Sequence, residues 1–231
     1  LCLSPKIGMP EKKTVAVVFS IGLPSALTVL FYDITNVCLN ARMAAYGDYQ
    51  LAALGIVIKA ERLPLNTGVG ICLGMMPLVA YNDTAGNHKR MRAFIRTARI
   101  AGLVVAAVSI LLYETCTGGI VRLFFNASAS DPTAAAETLR YGILFLHFRC
   151  LASPFAFMNF HITYTLQALG EGRTTLLLAA LRQCGFYLPI LFLMDAVVGQ
   201  LGLVWTQTIA EIVTLLIAFY VFRRKVAQHT A

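Results

Sequence analysis

Long apolar runs separated by short polar turns organise this chain. The first run extends from about residue 14 to 40; it carries no charge over 14–32, and Asp33 then interrupts it. Roughly 20 apolar residues cross a bilayer as a helix, so this run is predicted as a first span. A polar turn over 42–50 leads to a second span at about 51–81. Lys59, Glu61 and Arg62 sit near its start, and Pro64 and Pro77 predict a bent or broken helix. Residues 81–92 read YNDTAGNHKRMR, and Arg92, Arg96 and Arg99 continue the basic run at helical spacing. This predicts a segment lying along the interface before a third span at about 97–117. Asp131-Pro132 reads as an N-cap followed by an N1 proline. The fourth span, about 139–168, contains His147, Arg149, Pro154 and His161. GEGR at 170–173 is a tight turn; the fifth span, about 174–195, contains Arg182 and Pro189. The sixth, about 201–222, contains Glu211 and is predicted to stop at Arg223-Arg224-Lys225.

The predicted fold is therefore all-α: a polytopic membrane protein built as a six-transmembrane-helix bundle. Lipid leaves no partners for open strands, and a barrel would need alternating patterns. Residues 1–13 read as a cytoplasmic N-terminal segment or linker, 14–222 as the six-helix lobe, and 223–231 as a basic cytoplasmic tail.

Composition points the same way. Hydrophobic residues make up 58% of the 231 positions and charged residues 13%, against about 25% charged in a soluble domain. One soluble core of this size has no room for so much apolar surface. The net charge of +8 does not signal nucleic acid, because the basic residues sit in short clusters between apolar runs. With alternating spans, those clusters fall on one side: Lys6, Lys12, Lys13, Lys89, Arg90, Arg92, Arg96, Arg99, Arg173 and 223–225. The other side receives Arg42 and Arg122. Positive residues stay cytoplasmic, so both termini are expected in the cytoplasm of a multi-pass plasma-membrane protein, the bacterial inner membrane. The six cysteines lie mostly within apolar runs, form no CxxC pair and predict neither disulfides nor a zinc site. No P-loop, GxSxG or HExxH motif is present, so the chain is not expected to be an enzyme.

Ionisable groups inside a bilayer are costly and usually face a cavity or a partner. Asp33 is the first candidate. With Asn36 and Asn40 it shares a helical face by i, i+3 and i+7 spacing, a polar stripe suited to binding a proton or cation. The alternative is a carboxylate near the outer interface paired with Arg42. Lys59, Glu61 and Arg62 read either as an internal ion-pair cluster or as pairing between helices. Glu211 is expected to pair with Arg182 or Arg149, or to border a cavity; Asp195 is expected at the outer end of its helix. Asn159, Tyr164 and Gln183 offer hydrogen bonds to cargo. His147 and His161 read as packing residues before proton relays. Prolines and polar groups inside spans favour a transporter over a scaffold, and no pore-loop repeat suggests a channel.

Four stretches, in order, carry a family resemblance: SIGLPSALTVLFYDITNVCLN at 20–40, ALGIVIKAERLPLNTGVGICLGMMPLVAYNDTAGNHKRMR at 53–92, TYTLQALGEGRTTLLLAALRQCGFYLPILFLM at 163–194 and GLVWTQTIAEIVTLLI at 202–217. Together they resemble the second half of multidrug and toxic compound extrusion (MATE) antiporters. The resemblance implies a twelve-helix exporter of two six-helix lobes that rock against each other. It implies cationic or amphipathic small-molecule cargo and coupling to sodium or proton influx, with no cofactor beyond the transported ion. Asp33 matches an acidic residue that takes part in cation binding in some members. The chain begins at Leu1, and the partner is expected to be a first lobe on the same polypeptide or else a second copy. Membrane lipid is the expected contact of the basic clusters, and no nucleic acid is expected. A flippase-like exporter of lipid-linked sugars and a non-transporting bundle or fragment stand as alternatives.

Overall fold

A computed structural model describes the backbone of residues 12–124 and 132–229, and the side chains of 26–124 and 133–226. Residues 1–11, the expected N-cap Asp131 and part of the first span lie outside these limits. The elements are α1 (Lys12–Ala44), α2 (Asp48–Thr84), α3 (His88–Phe124), α4 (Pro132–Cys150), α5 (Ser153–Ala168), α6 (Gly172–Ala180), a π-helical turn (Leu181–Tyr187), α7 (Leu188–Val198) and α8 (Gln200–His229). No strand occurs among the described residues.

The lobe is a helical membrane bundle. α2, α3, the continuous stretch Gly172–Val198, and α8 are each long and apolar enough to cross a bilayer. Less than a third of the apolar window of the first three is covered by the chain itself, so the remainder is surface suited to lipid. α4 and α5 together form one span broken by a 49° bend. Five of the six expected spans are thus matched, and the sixth, at 14–40, falls in α1.

Three details differ from the sequence reading. First, the break falls in the fourth span, at 151–152, and α2 continues through Pro64 and Pro77 without interruption. Proline has no N–H, so Pro64 leaves the carbonyl of Ala60, four residues back, without its helical donor. The hydroxyl of Tyr113 on α3 donates to that carbonyl at 2.7 Å. Tyr113→Phe should therefore destabilise the bundle by about 1–3 kcal/mol, the cost of an unsatisfied buried acceptor. Thermal unfolding should show most of that loss vanish in a Pro64→Ala background, where the amide returns; an equal loss in both backgrounds would refute the pairing.

Second, no interfacial segment precedes the third span. α3 begins at His88 and remains helical until Cys116, where φ −118° and ψ 20° mark a kink. From His88 to the kink it reaches roughly 40 Å, so the basic first turns and the apolar run that follows form one continuous helix. Third, α8 does not stop at Arg223 but runs to His229. Lys225 is tied to Glu171 of the 170–172 turn at 2.8 Å.

The layering positions the site. One apolar core, with Leu54, Val57, Phe145, Leu146, Leu191 and Leu203, fills the end of the lobe that carries the α7–α8 turn. Two others, around Met75, Val79, Met91 and Ile95 and around Ile162, Leu166 and Leu178, fill the opposite end. Along α2 the order is Val57, Glu61, Met75; along α8 it is Leu203, Glu211, Ala218. The charged positions therefore form a polar layer between apolar ends.

Candidate functional site

Two ion pairs anchor that layer. Glu61 turns away from Lys59 and Arg62 and crosses to α4, where Arg149 Nε lies 3.0 Å from both carboxylate oxygens. Arg149 Nη2 adds a contact at 3.0 Å. Lys59 and Arg62 are exposed and have no partner among the described residues. Of the two readings of these residues, pairing between helices is the one the geometry supports, and only Glu61 takes part in it. The physical reason is spacing: neighbours at i+1 and i+2 do not face one another on a helix. The second pair joins Arg182, on the π-helical turn, to Glu211 of α8 at 2.5 Å. Glu211 also accepts from Gln207 at 2.8 Å and from the Asn159 amide at 2.7 Å, and the Arg182 guanidinium lies 4.4 Å above the Phe160 ring. Every charge in this second cluster has an opposite charge or a dipole beside it, as buried charges require.

A cavity of about 370 Å³ opens beside this pair between α1, α2, α5 and the π-helical turn. That is the size range of small-molecule sites. Asp33, Arg62, Asn159, Tyr164, Arg182 and Gln183 all line it. So does Phe160, whose ring stacks on Tyr164 with centroids 6.4 Å apart. Asp33 is exposed into this region and has no partner among the described residues. Arg42, the alternative partner, is taken elsewhere: its Nε donates to Asp195 Oδ2 at 2.6 Å, and the Tyr46 hydroxyl donates to Asp195 Oδ1 at 2.7 Å. That hydrogen bond to a carboxylate holds Tyr46, in the turn after α1, above the usual tyrosine range. Asp195 sits in the last turn of α7, at the end of its helix.

The predicted polar stripe does not reach the cavity as a unit. Asn36 donates to the Tyr32 carbonyl of its own helix at 3.0 Å, and neither Asn36 nor Asn40 lines the cavity. The cavity extends from Asp33 toward Thr28 and Val29, one turn in the opposite direction. Gln183 is partly occupied, accepting from Thr35 at 3.4 Å.

Several polar residues were missed by the sequence reading. Asn66 also lines the cavity beside Asp33, and Gln207 holds Glu211. Glu114 on α3 meets His147 Nδ1 of α4 at 2.8 Å and receives the Cys150 thiol at 3.3 Å. Glu114 lies in the last part of an apolar run, and only its separation from His147 by one helix–turn–helix length would have signalled the pairing. His161, buried, meets the Ile95 carbonyl at 3.0 Å, which is a packing role. No group of three metal-ligating side chains is found among the described residues.

Comparison with known proteins bears on this geometry. The profile of the MatE family matches residues 24–193. The multidrug export protein MepA of Staphylococcus aureus is 30% identical over 223 residues, covering 94% of this chain and 46% of MepA. MepA of Staphylococcus haemolyticus is 28% identical over 221 residues, covering 96% of this chain and 47% of its own length. The chain thus spans about half the length of the curated relatives it matches. Among solved structures, the Vibrio cholerae MATE transporter VcmN in its bent form superposes with a TM-score of 0.83 at 18% identity, over 96% of this chain and 49% of VcmN. A MATE family transporter in an outward-facing conformation gives 0.85 at 15% identity, over 99% of this chain and 50% of that one. An inward-facing one gives 0.82 at 16% identity, over 96% and 50%. The helical lobe, its order of elements and the family profile agree: this chain belongs to the MatE family of multidrug and toxic compound extrusion transporters, and corresponds to the second half of its longer members.

Proposed function

We propose that this chain is one lobe of a two-lobed secondary exporter that couples sodium or proton influx to the outward release of cationic or amphipathic compounds. The observation that carries this reading is Asp33: a carboxylate without a partner among the described residues, at the wall of a 370 Å³ cavity that also carries stacked aromatic rings. Aromatic faces and a carboxylate attract organic cations, and the same carboxylate binds a coupling ion. Exchange follows if ion and cargo prefer different states of the transporter.

The second lobe has its own physical support. Lys59 and Arg62 are exposed on α2, which is long and apolar enough to cross a bilayer, and Asp33 is exposed on α1, within the expected first span. Such groups do not face hydrocarbon. Their surface suits a water-filled cleft closed by another lobe, on the same polypeptide or from a second copy. The positive bias of the turns supports cytoplasmic termini in the bacterial inner membrane.

The test is ion-driven efflux of a cationic aromatic dye in vesicles holding the complete natural protein. Asp33→Asn should lower the ion-dependent rate at least tenfold, and Asp33→Glu should restore part of it. Ion dependence unchanged in Asp33→Asn would remove Asp33 from the mechanism. Absence of any cargo-driven ion flux in the wild type would favour a non-transporting bundle.

A further inference from the structure

We infer that a second, smaller cavity at the junction of α4 and α5 binds a monovalent anionic group. This cavity, of about 50 Å³, is walled by Glu61, Arg62, Arg149 and Arg182, with Ser109 and Ser153. Three guanidiniums face one carboxylate, an excess of two positive charges. Counting Glu211, which holds Arg182 from outside the wall, still leaves an excess of one. The excess resides on Arg62, which is exposed, while Arg149 and Arg182 are each paired, so this end of the cavity carries a net positive field that draws an anion.

Two further observations point to a ligand. Arg149 is only 5% exposed, and its Nη1 meets no acceptor in hydrogen-bonding geometry among the described residues, although the Tyr187 hydroxyl lies close to the guanidinium, while its other nitrogens are spent on Glu61. A buried guanidinium N–H left unpaired is unusual, and a charge-assisted bond to an anion satisfies it. The break in the fourth span also starts α5 against this cavity, because Ala152, Ser153 and Ala156 line it. The first turn of a helix carries partial positive charge, which suits an anion; the Ala152 and Ala156 amides are already bonded and Pro154 has none, so the turn contributes its dipole and the Ser153 side chain rather than a row of free amides. The residues before the break supply Arg149 and those after it supply Ser153, so the bend brings both to one cavity.

The volume limits what enters. About 50 Å³ holds a few waters or one monatomic anion. Tyr32, Leu65, Arg62 and Arg182 belong to the walls of both cavities, so a carboxylate on a larger molecule in the neighbouring space also reaches this end. A halide and an organic carboxylate share the same chemistry here. The inference concerns binding and stands apart from the coupling role of Asp33, which does not line this cavity.

The experiment measures the Tm of the complete natural protein in detergent, at fixed pH, sodium and ionic strength. Chloride, benzoate and a bulky morpholinoethanesulfonate are exchanged as the anion. A saturable rise of roughly 2–5 °C in chloride over the bulky sulfonate, at a tenfold excess over Kd, identifies a halide site. A rise in benzoate alone identifies an organic carboxylate. Arg62→Gln should weaken the favoured anion at least fivefold, and Glu61→Gln, which removes the opposing charge and keeps an acceptor for Arg149, should tighten it. Opposite responses of these two variants separate anion binding from general destabilisation. Equal Tm in all three anions, or responses of the same sign in both variants, would overturn the inference.

Discussion

Glu211→Ala should cost about 3–5 kcal/mol of stability, because it strands a buried charge. Glu211 is 2% exposed and is the shared acceptor of Arg182, Gln207 and Asn159. Removing it leaves the Arg182 charge without its carboxylate and the Gln207 amide without its acceptor, while the Asn159 amide keeps the Glu211 backbone carbonyl at 2.9 Å. The pair's own net worth is a different quantity, since two desolvated charges replaced together by apolar groups often lose little. The double variant Arg182→Met/Glu211→Met should therefore recover most of the loss. Unfolding of the purified single and double variants in detergent reads this directly. A double variant no more stable than Glu211→Ala would mean that packing, rather than the stranded charge, sets the cost.

Gly202→Ala should be damaging for a reason unrelated to charge. Gly202 lies in the first turn of α8, directly after the tight turn at Gly199, whose φ of 75° suits glycine. A Cβ at 202 would lie 2.2 Å from the Met194 carbonyl oxygen and 2.7 Å from its carbon. Those are backbone atoms of α7 and cannot swing aside, so the hairpin has to open. Overpacking of this kind costs about 1–3 kcal/mol and sometimes more. Gly70→Ala, within α2, is the control: nothing lies within 4 Å of the added carbon, and helix propensity favours alanine by up to ~1 kcal/mol. Opposite shifts of Tm in the two variants are the expected result. A neutral Gly202→Ala would mean that α7 and α8 do not approach so closely.

The hydropathy pattern made the spans legible, because membrane depth is written as runs of apolar residues. Which charge meets which was only partly legible. Glu211 with Arg182 was one of two named partners, and the structure selects it. Arg149, the other, pairs with Glu61, since the bend after α4 turns it toward α2. Spacing along one helix carries no record of such a rotation. The same limit explains the polar stripe: Asn36 and Asn40 share a face with Asp33, but only packing of α5 and α6 decides which stretch of that face opens on the cavity. Neutral polar residues such as Asn66 and Gln207 passed unnoticed because they barely disturb an apolar run. The proline rule misplaced the break, since Tyr113 repairs α2 from a neighbouring helix.

The π-helical turn was also invisible, for LRQCGFY bears no local mark of it. Within it the amide of Leu188 reaches back five residues to the Gln183 carbonyl. One residue more than an α-helix needs is accommodated there, and a residue is worth about 100° of rotation. The span is thereby two helices out of phase with each other. The upper phase aims Arg182 at Glu211, and the lower aims Asp195 at Arg42. In the language of insertions and deletions, this is the place where the length of the fifth span is set by two appointments at once. Shortening it by one residue would keep either ion pair, but not both.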